Sequence, residues 1–234
     1  MSKPFVGIDG CHLKGPYGGV LLTTVSLDAN NGLFPLPIVV VESELKESWL
    51  WFLELLHDIV GDTRNGIKYT LMSDGQKGLP HAVSQIFPIA YYRHCLKHLL
   101  NNFKAEYPHL LLRGHYWEAL CSYSEMVFKK GMNGIAKIDE DAANWLTTVP
   151  INQWAIHAYA PIIKSPHITN NMFESFNKWI NKFRGKTILQ MLDGIRYTHQ
   201  EKRNGRKVQF WYLVPWRPIP ERNCSILPID VVAP

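Results

Sequence analysis

Residues 5–41 read FVGIDGCHLKGPYGGVLLTTVSLDANNGLFPLPIVVV, three apolar, β-branched runs separated by turn chemistry. Phe5 to Ile8 is apolar or glycine, and Asp9-Gly10 is expected to end it, as suits a buried strand with a carboxylate at its exit. Gly18 to Leu27 and Leu33 to Val41 read as two further strands. Between them Asn31-Gly32 is a strong hairpin signal, so the three strands are expected to form an antiparallel meander.

Working outward, ESWLWFLELLHDIV (47–60) places Trp49, Phe52, Leu53, Leu56 and Ile59 or Val60 at helical spacing, with Gly61 at its end. Ile67 to Ser73 alternates as a fourth strand ending at Asp74. Gln76 to Phe87 reads as a helix stopped near Pro88, Ile89 to Tyr92 as a short strand, and His94 to Lys104 as a helix. The order βββαβαβα, with one carboxylate leaving the first strand and another the fourth, fits an RNase H-like α/β fold with a mixed sheet. A doubly wound sheet would simply alternate βα units. From about 105 to 166 strand signals fade and the pattern turns helical, which predicts an all-helical insertion. Helices over Asn170 to Lys182 and Ile188 to Arg203 follow, the first capped by Thr169 or Asn170 and the second by Thr187. Beyond Gly205 the prolines at 215, 218 and 220 predict an irregular tail. The expected organisation is one domain over 1–205 and a Pro-rich tail over 206–234.

At 234 residues and 46% apolar content the chain has material for one large core. Its formal charge of +5 is compatible with a polyanionic partner. Cys11, Cys95, Cys121 and Cys224 are scattered with no CxxC pair, so neither a disulfide scaffold nor a zinc ribbon is suggested. GxSxG, a dinucleotide-binding GxGxxG, a Walker loop and HExxH are all missing. MSKPFVGIDG lacks signal-peptide character. The apolar run LFPLPIVVV is too short to cross a membrane and contains Pro, so a soluble, intracellular chain without a membrane partner is expected. A strand at the start and a Pro-rich end suggest a domain cut from something longer.

Three carboxylates carry the chemistry. Asp9 and Asp74, each at the exit of a strand, would lie side by side if the first and fourth strands are neighbours. Taken singly, IDG and SDG are ordinary turn sequences; the pair at matching strand ends favours metal binding. Glu174, in TNNMFESFNKWI (169–180), stands beside an apolar helical face of Phe173, Phe176 and Ile180, either as a third ligand or as an ordinary surface acid. A few carboxylates with phosphate oxygens suffice for Mg²⁺, and two such ions roughly 3.5–4 Å apart can serve both the attacking and leaving oxygens of a phosphodiester. Cys95 and His98 in RHCLKHLLNNFK (93–104) face the same way one turn apart, too few for structural zinc. A packed thiol with a bonded histidine and the lining of a nucleic-acid channel both fit them. Lys14, Lys77, Arg93, Lys97 and Lys104 surround these motifs and are candidate phosphate contacts, although solvation is the commoner fate of a lysine.

In order, DGCHLKGPYGGVLLTTVSLDANNGLFPLPIVVVESELKESWLWFLELL, MSDGQKGL, FPIAYYRHCLKHLLNNFK, NNMFESFNKWI and TILQMLDGIR resemble the transposase domain of Mutator-like (MULE, MuDR-type) elements of plants, over about residues 5 to 203. The resemblance implies an RNase H-like DDE core, with Asp9, Asp74 and Glu174 as catalytic and metal-binding residues on two Mg²⁺ or Mn²⁺ ions and a helical insertion before the glutamate. It implies cut-and-paste transposition in the nucleus: DNA strand cleavage and transfer, with terminal inverted repeats and target DNA as partners and a homo-oligomer as a candidate working unit. The family's C-x-x-H falls on Cys95 and His98. Gly75 departs from the SDRQKG frequent in similar sequences, which is expected to weaken a phosphate contact without removing the metal site. The amino-terminal DNA-binding region and carboxy-terminal SWIM-type zinc finger usual in full-length relatives are not in this sequence, Cys224 having no CxC or CxH partner. The alternative expectation is a domesticated relative that binds DNA and regulates transcription, the core serving as scaffold. A cellular RNase H-like nuclease accords with neither the insertion nor the C-x-x-H.

Overall fold

The computed structural model of the protein describes residues 2–16, 18–28, 32–76, 78–160, 169–202 and 212–213. The Asn31 half of the expected hairpin turn, Lys77, Cys224, the end of the insertion and most of the tail lie outside them. The chain divides into two compact units, one of residues 1–69, 77–90 and 171–234, the other of residues 70–76 and 91–170.

In the first unit β1 (Ser2–His12), β2 (Val20–Asp28) and β3 (Leu33–Val41) form the expected antiparallel meander. β1 does not stop at Asp9-Gly10. Asp9 pairs with Thr23 and the ladder runs on to His12 opposite Val20, because the partner strand supplies hydrogen bonds that local turn chemistry would have forgone. β2 starts two residues later than expected, since Gly18 and Gly19 take positive φ. The register slips between Thr23 and Val25, across from the prolines of β3, which cannot donate to a ladder. The tail contributes β8 (Tyr212–Leu213), parallel to β3, so its expected irregularity is interrupted there and the pairing is mixed.

Residues 20 to 27 of β2 are all buried, which requires cover on both faces. α1 (Lys46–Val60) packs on β3 through Trp49, Phe52, Leu53 and Leu56, and α7 (Asn171–Ile180) on β1 and β2 through Met172, Phe173, Phe176 and Ile180. α2 (Leu79–Ile86) lies on α1 and begins three residues late, held off by the left-handed Gly78. α8 (Ile188–Lys202) starts in a reciprocal capping pair in which the Gln190 N–H donates to Thr187 Oγ1 and the Thr187 N–H to Gln190 Oε1. A two-residue hairpin, β4 (Thr63–Arg64) with β5 (Ile67–Lys68), splits the expected fourth strand. Its turn is Asn65-Gly66, both at positive φ, as a type I′ turn demands.

In the second unit β6 (Thr70–Ser73) pairs in parallel with β7 (Tyr91–His94), and Cys95 caps α3 (Leu96–Glu106). The predicted insertion is helical: α4 (Leu110–Cys121), α5 (Glu125–Ile138), α6 (Glu140–Thr147) and two 3₁₀ turns at 151–153 and 156–158. Phe103, Tyr116, Leu120, Phe128, Ile135, Leu146 and Trp154 form its core with α3. α4 and α5 approach closely at Gly131, where a Cβ would lie 2.6 Å from the Ala119 nitrogen. Among the described residues no helix is long and apolar enough to cross a membrane.

Candidate functional site

In the first unit, Asp9 is half-buried within β1, between fully buried Ile8 and half-buried Gly10. Its Oδ1 accepts the Gly10 N–H at 2.9 Å, which fixes the rotation of the carboxylate. A second acid stands close by: a Cβ on Gly10 would come within 2.7 Å of Glu44 Oε1, so only glycine lets that carboxylate lie over the strand. Burial pushes the Cys11 thiol up to about 11, with Arg184 opposing and the charges of Asp9 and Glu44 adding to the rise. Arg184 bonds the His12 carbonyl through Nε at 2.9 Å and also through Nη2, and its own carbonyl accepts the Lys14 N–H at 2.8 Å. The exit of β1, carrying exposed Lys14, is thereby fastened to the turn after α7. Glu174 is half-buried in the first turn of α7, beside buried Phe173. Periodicity gives no signal for Glu44, three residues past the end of β3, or for Arg184.

In the second unit, Asp74 follows β6 immediately, as expected, and is half-buried. Its Oδ1 accepts the Gln76 N–H at 3.1 Å, a turn that again orients one carboxylate oxygen. The preceding Ser73 receives the Gly75 N–H at 3.1 Å and meets the Tyr92 hydroxyl at 2.5 Å. Burial raises the Tyr92 hydroxyl, the Ser73 bond opposing and the Asp74 charge adding. Gly75 is left-handed at φ 81°, and the His94 ring occupies the space a side chain would take there. Burial lowers the His94 imidazole, opposed by a bond to the Gln153 side chain and by Asp74.

Of the cations expected to meet phosphate, Lys14 and Lys97 are exposed, and Lys104 is half-buried on α3. Arg93 is 1% exposed, with its guanidinium 3.8 Å from the centre of the Tyr159 ring, so its partner in the fold is an aromatic face. Cys95 and His98 do face one another and share a side-chain hydrogen bond. Asn170 does not cap α7 with its side chain, which is buried and has no hydrogen-bond partner among the described residues; its backbone N–H goes to Cys95 Sγ at 3.2 Å. Among the described residues no group of three or more His, Cys, Asp or Glu forms a ready-made metal cage.

Residues 5–102 match the model of the MULE transposase domain, from β1 into α3, a span that holds Asp9, Asp74, Cys95 and His98 but not Glu174. No curated protein matches the chain. A chain from the cryo-electron-microscopy structure of the simian T-cell lymphotropic virus intasome in complex with PP2A regulatory subunit B56 gamma is similar over 50% of this chain and 48% of its own, at 13% identity and a TM-score of 0.27. This chain thus spans about half the length of that one, and so weak a likeness carries no argument about fold or function.

Proposed function

We propose that this chain is the RNase H-like catalytic core of a MULE-type DNA transposase, in which Asp9, Asp74 and Glu174 hold two Mg²⁺ or Mn²⁺ ions and DNA is cut and joined in the nucleus. The observation that carries the proposal is the match of residues 5–102 to the MULE transposase domain, inside which both aspartates are half-exposed. Each aspartate has one oxygen oriented by a backbone N–H one or two residues on. Carboxylate oxygens are the hard donors Mg²⁺ takes, and it needs no complete protein cage because it keeps waters and accepts phosphate oxygens. When bound, such ions activate a water or hydroxyl and stabilise the leaving oxygen.

The chain's own residues supply the rest. The Gly10 and Gln76 amides hold the acids in one rotation. Exposed Lys14 and Lys97 offer charge to the DNA backbone. Carboxylates facing a polyanion repel it unless a cation intervenes, so acids that meet DNA make sense with metal and little sense in a metal-free scaffold.

The test is Mn²⁺ titration and cleavage of terminal-inverted-repeat DNA by the protein and by its Asp9→Ala, Asp74→Ala and Glu174→Ala variants, with DNA affinity of Asp74→Asn measured with and without Mn²⁺. Both aspartates are expected to be needed for metal binding and all three acids for cleavage; Asp74→Asn should weaken DNA binding in Mn²⁺ and strengthen it in chelator. Metal binding that survives loss of either aspartate sinks the metal site. Absence of any metal-dependent product, with Asp74→Asn strengthening DNA binding in both conditions, would establish the regulatory scaffold instead.

A further inference from the structure

Cys95 joins three parts of the second unit. Its backbone N–H donates to the carbonyl of Ser73 at 2.6 Å, one residue ahead of Asp74. Its Sγ, on a residue 1% exposed, accepts the Asn170 N–H at 3.2 Å across 75 residues of sequence. Its thiol also bonds the His98 side chain. Asn170 directly precedes α7, whose first turn holds Glu174.

Resting on the transposase reading, we infer that Cys95, supported by His98, is a positioning residue that ties the backbone delivering Asp74 to the backbone from which the Glu174 helix starts. The helices α3 to α6 intervene in sequence between those two points, and the Cys95–Asn170 bond closes their excursion at its base. Without such a tie, a long insertion would leave the entry to α7 free to drift from the end of β6.

Two observations support a real hold on Asn170. Burial acts to raise the Cys95 thiol, yet the His98 bond, the Asn170 N–H and the His98 charge bring it below its ordinary value, the direction that hydrogen bonds donated to the sulfur produce. Asn170 itself is 2% exposed, and neither polar atom of its side chain has a hydrogen-bond partner among the described residues. Such burial is unfavourable, and the segment would relieve it by moving outward; the bond to Cys95 opposes that movement.

The test compares the protein with its Cys95→Ala, Cys95→Ser and His98→Gln variants by amide hydrogen exchange at Asn170 and by steady-state cleavage of terminal-repeat DNA in Mn²⁺. Cys95→Ala is expected to expose the Asn170 amide and lower kcat on the order of 10²-fold, the cost of an ångström-scale misplacement, with KM for DNA and the far-ultraviolet spectrum unchanged. Cys95→Ser, which keeps a shorter acceptor, should recover part of both effects, and His98→Gln should show them in weaker form. Replacing exposed Cys121 by alanine should change neither. An Asn170 amide that stays protected in Cys95→Ala overturns the tie. Lost protection with kcat intact overturns the positioning role. A wild-type protein that neither binds Mn²⁺ through its aspartates nor cleaves DNA overturns the transposase reading and this role with it, while amide exchange still decides the tie.

Discussion

Gly75→Ala, beside Asp74, should cost far more than its single methyl suggests. At φ 81° an alanine would sit in the left-handed region, a strain of about 1–2 kcal/mol. Its Cβ would fall 2.5 Å from His94 Cε1, where ordinary contact is 3.4–4 Å, so the ring has to leave. The ring is held by its edge contact with Tyr92, centroids 5.3 Å apart, and by the bond to Gln153. Forfeiting them costs about 0.5–1.5 kcal/mol and about 1 kcal/mol respectively, which with the backbone strain gives a total of about 2.5–4.5 kcal/mol. Urea unfolding of Gly75→Ala in the wild-type and His94→Ala backgrounds separates the two causes. Without the ring only the backbone strain remains, so the cost should drop to about 1–2 kcal/mol and the pair should show a coupling of about 1.5–2.5 kcal/mol. Equal costs in both backgrounds would refute the claim that His94 fills the slot. An arginine at position 75 should likewise cost less in this chain when His94 is replaced, although the backbone strain at φ 81° remains.

Two further outcomes concern the helical insertion. Gly131→Ala forces a Cβ to within 2.6 Å of Ala119 N and 2.8 Å of its Cβ, so overpacking of about 1–3 kcal/mol outweighs the gain in helix propensity, whereas Gly114→Ala in α4 meets nothing within 4 Å and should stabilise by about 0.5–1 kcal/mol; thermal melts that move the same way for both would contradict the packing. Glu118 is held below the usual carboxylate range chiefly by its bond to Lys130 at 2.7 Å, so its contribution is fully present above the unfolded value of about 4.3 and is lost as pH falls through the lower folded value. The difference in urea midpoint between wild type and Glu118→Gln should therefore be constant at neutral pH and vanish in acid; a difference that persists at the lowest pH would assign the effect to something other than charge.

How much of this was legible depended on whether the deciding partner was near in sequence. Leu33 to Val41 and the helix ending at Val60 carry their own periodicity, and their bounds came out as read or within one residue. Thr187 announced its cap because Gln190 is three residues away. Asp9-Gly10 was misread as a strand end because its pairing depends on Thr23 and Leu22, which no local propensity encodes. The Asn65-Gly66 turn was written in the chain, but two-residue strands give no alternation to flank it.

The same rule governs the candidate site. Asp9, Asp74 and Glu174 could be picked out because each sits beside an apolar run, and the amides that orient the two aspartates are one or two residues away, whereas the charged and ring groups around them come from afar: Glu44 and Arg184 about the end of β1, and His94 near Asp74. Arg93 shows the hazard of reading charge without such partners. A basic residue beside an acidic motif invites a phosphate, yet Tyr159, 66 positions on, takes its guanidinium face in a buried setting. Burial there draws Arg93 below its ordinary value and pushes the Tyr159 hydroxyl up to about 12. The buried guanidinium over the aromatic ring is thus part of the packing of the second unit. On the proposed transposase reading, exposed Lys14 and Lys97 are therefore better placed than Arg93 to meet a DNA backbone.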